Sequence, residues 1–434
     1  MLFSENTKKT LLEFNMFKIF NLILIISLML GIGAFNSFSS LYLVVILFKI
    51  FQNKDHKVFK QKWFLFSVGL YLLILLNTFF SEYFETIFVK NIYNFRFPLI
   101  ALCVQYTIKS KEDFLFLIKC VFFSTSFVAV DALVQYFTGT NLLGNNLSEI
   151  TANRRRLTGI FGNEEIVGSF IIKFFLISLC YVIGKKLNVY LVILIFFFFG
   201  FTILLSQERM AFLLFLLATF IIFIILIIEN KKIILLTSLL LVFISSITIF
   251  SYDISLKKRY THSFTNSGSG LQIFNGPNQS TEPKLKNLNL IGAIKNSLWG
   301  AHFLVAYEIF KENPITGSGP RSFRYECSKN IYSDRVDSTY KDKRCSTHPH
   351  NYYYEILSEN GIIVFIYFLT IILVFCFNEI KIFFDKKNMI QGFLFLSIFV
   401  NIWPIASTGS IYASMNGLVI WLTIGVIFSF KKLS

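Results

Sequence analysis

Two histidines one residue apart, His348 and His350, head the stretch HPHNYYYEILSENGIIVF (348–365). Pro349 suits a first helical turn, residues 352 to 357 continue a helical pattern, and Gly361 precedes a long apolar run. The pair is therefore expected where a helix begins. There the positive end of the helix dipole disfavours imidazolium and keeps a histidine neutral, available as a base near pH 7. The arginines supply the second chemistry, because a guanidinium is a rigid fork that matches phosphate oxygens two at a time and keeps its charge when partly desolvated. A base beside such cations suits the displacement of a diphosphate by a hydroxyl. Diphosphate departs with little acid help, but the charge growing on it must be compensated. Where a divalent metal does that work, a D-x-D pair commonly holds it. The sequence contains no D-x-D, so arginine is expected in that role and neither metal nor cofactor is expected. A His-x-His metal site would also need a carboxylate at ligand spacing, which is missing near 348–350.

These residues must be positioned by elements in a bilayer. Of 434 residues, 55% are hydrophobic and 15% charged, with 54 Phe and a mean hydropathy of +0.63, a balance that ordinary soluble surfaces do not tolerate. Runs such as LVILIFFFFGFTILLS (191–206) approach the roughly 20 apolar residues that cross a hydrocarbon core. The pattern predicts an all-α bundle of about twelve spans, near 17–33, 36–52, 63–80, 91–108, 113–137, 166–184, 187–205, 209–228, 232–250, 361–378, 390–406 and 411–430. The first is expected as a retained span, since no small-residue cleavage site follows it. The chain then divides into spans one to nine (1–250), a polar loop (251–360) and spans ten to twelve (361–434).

Charge orients this bundle. With a cytoplasmic N-terminus, the inside segments hold Lys pairs such as Lys8–Lys9, Lys185–Lys186, Lys386–Lys387 and Lys431–Lys432, whereas the short outside segments hold only Lys90, Arg154, Arg155, Arg156 and Arg209. The positive-inside rule places both termini in the cytoplasm and 251–360 outside. The net charge of +16 is thereby explained without nucleic acid. Arg follows the opposite bias: Arg154, Arg155, Arg156, Arg209, Arg259, Arg321, Arg324, Arg335 and Arg344 all fall outside, and Arg96 is expected near the outer end of its span. Any single loop Arg is as well explained by solvation; the set points to an anionic substrate. Within the spans, Asp131 and Lys173 sit at similar depth in neighbouring helices and are candidates for a buried pair.

Residues 263–287, rich in Ser, Gly, Asn and Pro, read as mobile. In the following stretch Leu298, His302, Phe303, Ala306, Tyr307 and Phe310 recur at helical spacing, and Pro314, Gly317, Gly319 and Pro320 end the pattern in a tight turn. An amphipathic helix against the core is expected there. Cys103, Cys120, Cys180 and Cys376 fall in apolar runs and read as buried thiols. Cys327 and Cys345 bracket an outer segment just before the His pair; in an oxidising compartment they are candidates for a bridge, two free thiols being the alternative.

Three stretches, RLTGIFGNEEIVGSF (156–170), AYEIFKENPITGSGPRSF (306–323) and HPHNYYYEILSENGIIVF (348–365), together resemble the bacterial O-antigen ligase and polymerase family of the inner membrane. That resemblance implies about twelve spans with a large periplasmic loop after the ninth. It also implies transfer of a glycan from undecaprenyl diphosphate to a hydroxyl acceptor, the lipid A core for a ligase. Carried over by residue, it makes His350 catalytic and assigns Arg209, Arg156 and Arg321 to the diphosphate. His302, His348 and Asn351, the residue after His350, are accessory candidates. The sequence offers His302 where such proteins often carry an Arg upstream of the Pro-x-x-Gly turn. Competing readings are a packing role for His350 and His348, an interfacial anchor at Arg209, and ion pairing of Glu164–Glu165 with Lys or Arg. Repeat-unit polymerisation is the alternative within the class. A polysaccharide or lipid transporter is the alternative outside it, disfavoured because no internal repeat is visible. Expected partners are the lipid-linked donor, the glycan acceptor and membrane lipids.

Overall fold

The computed structural model describes residues 5–147, 156–228, 297–386 and 388–434. The expected span at 232–250, the stretch 263–287, Arg154, Arg155 and Arg259 lie outside these described residues. Within them the chain is helical, with no strand. The helices are α1 (Glu5–Ser27), α2 (Ile32–Gln52), α3 (Lys62–Thr78), α4 (Phe84–Asn94), α5 (Arg96–Thr107), α6 (Lys111–Thr138), α7 (Val167–Gly184), α8 (Val189–Leu205), α9 (Arg209–Ile228), α10 (Leu298–Glu312), α11 (Phe323–Glu326), α12 (Tyr352–Lys386), α13 (Met389–Asn401) and α14 (Ser414–Leu433).

Six stretches among the described residues are long and apolar enough to cross a bilayer: α2, α4 with α5, α6, α7, α12 and α14. The shorter apolar helices α1, α3, α8, α9 and α13 fall on other expected spans. Burial sorts them, since 72% of the α7 window is buried inside the protein against 22% of that of α12. Helix α7 is therefore central, packed on α6, α8, α9 and α13, and α12 turns most of its surface outward. Its outward residues Ile363, Ile366, Leu373 and Phe377 are apolar and exposed, as a lipid-facing helix requires.

Local chemistry fixes the ends. Ser110 and Asp113 form a reciprocal capping box that starts α6, and Gly139 in the left-handed region ends it. In α14, the backbone of α5 at Ala101 lies within 3.1 Å of where a Cβ at Gly425 would stand, so the two helices meet backbone to backbone.

Three expectations are corrected. Asp131 does not pair with Lys173: its Oδ1 accepts from the Leu142 amide at 2.9 Å, while Lys173 donates to Asn416 of α14. Arg96 lies not near an end but midway along the candidate span Phe84–Thr107, where α4 gives way to α5; buried, it donates to Asn36 at 2.9 Å and Ser414 at 2.8 Å. The amphipathic helix exists as α10, but its buried stripe is Ala301, His302, Val305, Ala306 and Ile309, and Tyr307 is exposed. Small side chains let α10 approach its neighbours closely, so the aromatic residues are displaced to its flank, where Phe303 stacks flat on Tyr354 at 4.9 Å.

Candidate active site

The His-bearing segment enters α12 through a sharp turn. His350 has φ +59°, a left-handed conformation that costs a non-glycine residue energy and persists only where neighbours hold it. The neighbour is Thr408, between α13 and α14, whose amide donates to the His350 carbonyl at 2.8 Å. Asn351 then caps the helix: its Oδ1 accepts from the amides of Tyr353 and Tyr354, and its Nδ2 donates to the carbonyls of Pro404 and Ala406. The histidines thus precede the N-cap instead of occupying the first turn with Pro349, because the positive φ at His350 ends the helical path.

Three imidazoles gather here. His302 of α10 lies 5.3 Å from His350 between ring centroids, His348 lies 4.1 Å from it, and Trp299 lies 4.2 Å away on the α10 side. His302 Nε2 donates to the Lys343 carbonyl at 3.0 Å, which leaves its buried Nδ1 without a partner among the described residues. His348 Nε2 donates to the Thr408 carbonyl at 3.2 Å, and its Nδ1 accepts from Thr347 Oγ1 at 2.8 Å. His350 Nε2 meets Ser346 Oγ at 3.0 Å. Burial pulls His302 and His348 down to about 4. Burial, reinforced by the other two imidazoles, pulls His350 to about 2. All three are neutral at pH 7, as a base must be. An anion bound beside them shifts them back upward and favours the protonated product of base catalysis.

The turn at 314–323 is docked against the first part of α12. The Ser318 and Gly319 amides donate to the Ser358 and Glu359 carbonyls. The buried Glu359 carboxylate receives the Arg321 amide at 2.7 Å and the Phe323 amide at 3.0 Å. Gly361 breaks α12 at φ +71°, and a Cβ there would land on the Ile315 carbonyl, so only glycine lets the turn seat. Arg321, at φ +66°, directs its guanidinium inward to Asn94 Oδ1 at 2.8 Å and the Tyr412 carbonyl at 2.6 Å. Burial lowers its pKa. These bonds commit Arg321 to joining α4, the turn and the last loop.

Cys327 and Cys345 are disulfide bonded with Cα atoms 5.2 Å apart, and Arg344 Nε donates to the Cys327 carbonyl at 3.0 Å. The end of α11 is thereby tied to the segment that delivers His348 and His350.

A second basic group surrounds the start of α7. Glu208 occupies that helix N-terminus, accepting from the Gly168 amide at 2.5 Å, the Ser169 amide at 3.1 Å and the Ser169 hydroxyl. Burial raises its pKa, and Arg156 and these hydrogen bonds oppose the rise. Arg156 is ion-paired with Glu165, and half-buried Arg209 follows Glu208 at the head of α9.

The segment 408–416 links the two groups. Thr408 holds His348 and His350, the Ile411 amide donates to Glu355 Oε2 at 2.8 Å, Tyr412 accepts from Arg321, and Asn416 accepts from Lys173 while donating to the Ser410 carbonyl at 2.9 Å. Sequence reasoning treated 407–410 as a connector and missed this role, together with those of Glu208, Glu355, Glu359 and Trp299. The available signals were acidic residues four apart at 355 and 359 and the small polar run Ser407-Thr408-Gly409-Ser410 before a span. Among the described residues no group of three His, Cys, Asp or Glu side chains is arranged to hold a metal.

Residues 194–369 match a protein family described as O-antigen ligase. The match runs from α8 into α12 and includes Arg209, His302, Arg321 and His350, but neither Arg156 nor the 408–416 segment. No curated protein matches the chain.

Proposed function

We propose that this chain, whose residues 194–369 match the O-antigen ligase family, transfers a glycan from undecaprenyl diphosphate to a hydroxyl of the lipid A core at the periplasmic face of the inner membrane. The observation that carries this reading is the cluster of three imidazoles, with His350 in a strained conformation held by Thr408. In the proposed step His350 takes the proton of the acceptor hydroxyl as its oxygen attacks the anomeric carbon. The bond from that carbon to the diphosphate oxygen breaks, the configuration inverts, and the diphosphate leaves with both electrons of the bond. Positive charge on Arg209 and Arg156 compensates it, while Arg321, buried among its partners, positions the turn.

A lipid-linked donor also suits the bundle. A cavity of about 470 Å³ lies between α3, α12 and α14, lined by apolar residues such as Leu70, Ile74, Phe368 and Trp421, and it reaches Ile411 and Tyr412 of the linking segment. The proposed topology has twelve spans, both termini in the cytoplasm and residues 251–360 in the periplasm. Impermeant thiol labelling of Asp334→Cys but not Lys57→Cys, both exposed positions, is expected from the periplasmic side; the opposite pattern would overturn the orientation and the site with it.

The test of the activity is purified protein in nanodiscs with undecaprenyl diphosphate glycan and lipid A core. Loss of donor and appearance of glycosylated core is expected. Chain extension without transfer to the core would identify a polymerase instead, and an intact donor with either acceptor would refute a transferase.

A further inference from the structure

Seven arginines lie among the described residues, and their partners separate them. Arg96 is held by Asn36 and Ser414, Arg156 by Glu165, Arg321 by Asn94 and Tyr412, and Arg335 by Glu312. Arg344 donates to the carbonyls of Cys327, Lys341 and Lys329, and Arg209 also has interactions. Arg324 differs. It is exposed, and no hydrogen bond, ion pair or ring contact to another described residue engages its guanidinium.

Its backbone, by contrast, is fixed. Arg324 sits in the single turn α11 between Phe323, buried and bonded through its amide to Glu359, and Glu326, which is buried. The turn ends at Cys327, whose disulfide to Cys345 and whose carbonyl bond from Arg344 anchor it to the segment delivering His348 and His350. Its turn lies against α12 through the bond from the Phe323 amide to Glu359 and is tied by the disulfide to the histidine-bearing segment, and its charge is felt at His348, Glu355 and Arg321. A charge with this address and no partner among the described residues is available to a ligand. The guanidinium fork suits paired phosphate oxygens.

We propose that Arg324 is a substrate-binding residue that receives the donor's diphosphate beside the histidine cluster. This rests on the reading of the site as one that takes a diphosphate-linked donor, and it adds a residue to which no role was assigned. Arg321, three positions earlier, then acts only as a positioning residue.

The test uses the full chain in nanodiscs and undecaprenyl diphosphate without its glycan as the probe, with binding read by fluorescence quenching. Arg324→Ala is expected to weaken binding by roughly 10- to 100-fold, the effect of losing charge-assisted hydrogen bonds. Arg324→Lys is expected to recover only part of it, because the fork is lost. Arg335→Ala, which removes a paired arginine of the same loop, is expected to bind like wild type. Arg324→Ala binding within twofold of wild type, or wild type binding the diphosphate no better than undecaprenol, would overturn the proposal. Since Arg324 is exposed, thermal midpoints are expected to stay level across these variants. The two ideas fail separately: unchanged binding in Arg324→Ala with glycan transfer intact leaves the transferase standing, whereas Arg324-dependent binding without any transfer removes the transferase alone.

Discussion

Reduction of the Cys327–Cys345 disulfide offers a perturbation whose size follows from the chain. The two cysteines are separated by 18 positions, and closing a loop of that length stabilises the folded state by about 3 kcal/mol on the chain-entropy estimate. Cys345 is exposed, so a reductant reaches the bond without prior unfolding. Opening it frees the segment that contains Lys343, whose carbonyl holds His302, and Arg344, which holds the Cys327 carbonyl. Displacement of a catalytic group by about 1 Å costs on the order of 100-fold in rate. Reduced protein is therefore expected to lose roughly 10- to 100-fold in turnover, with a lower thermal midpoint and an unchanged amount in the membrane. The assay is glycan transfer by detergent-purified protein with and without dithiothreitol, alongside peptide mapping of the thiols. The double variant Cys327→Ser with Cys345→Ser is expected to behave like reduced protein and to ignore the reductant. Reduced protein with two verified free thiols, wild-type turnover and an unchanged midpoint would refute the reasoning.

The depressed histidines predict acid sensitivity. Each has a folded-state pKa below its unfolded value of about 6.5, so the unfolded chain binds more protons in acid and stability falls with pH from about 6.5 toward about 4 for His302 and His348, and toward about 2 for His350. Between pH 7 and pH 5 this amounts to about 2 kcal/mol per histidine. His348→Gln is expected to flatten the pH dependence of the thermal midpoint, and equal slopes in variant and wild type would contradict the assignment. Arg209→Lys is expected to keep the charge, lose the fork, and reduce both donor affinity and turnover; an unchanged KM for the donor would return Arg209 to an interfacial anchor. Glu208→Gln keeps one acceptor oxygen but presents an amide to N–H groups of Gly168 and Ser169, and is expected to lower the thermal midpoint by removing about 2 kcal/mol of charge-assisted bonding. A midpoint equal to wild type would deny Glu208 its capping role.

The apolar helices were legible because each is a local run, as in α7 and α9. The His pair and the tight turn were legible because Pro and Gly punctuate them. What escaped was non-local. Nothing in the run Ser407-Thr408-Gly409-Ser410 announces that Thr408 will fix a histidine 58 positions earlier, or that Tyr412 will accept from an arginine in the turn at 314–323. The pairing expected for Asp131 and Lys173 failed for the same reason. Equal depth in neighbouring helices is necessary for contact, but azimuth decides it, and the azimuth of α7 turns Lys173 toward Asn416. Arg321 and Arg324 look alike in the sequence, and only the positive φ at Arg321 and the inward path to Asn94 separate the buried guanidinium from the exposed one.

The central claim is that His350 is the base of a glycan transfer, and it is tested most directly by turnover per folded molecule of His350→Ala beside wild type. A fall of roughly 100-fold to 10,000-fold is predicted, with binding of undecaprenyl diphosphate retained. Wild-type turnover per folded molecule in His350→Ala would contradict the account.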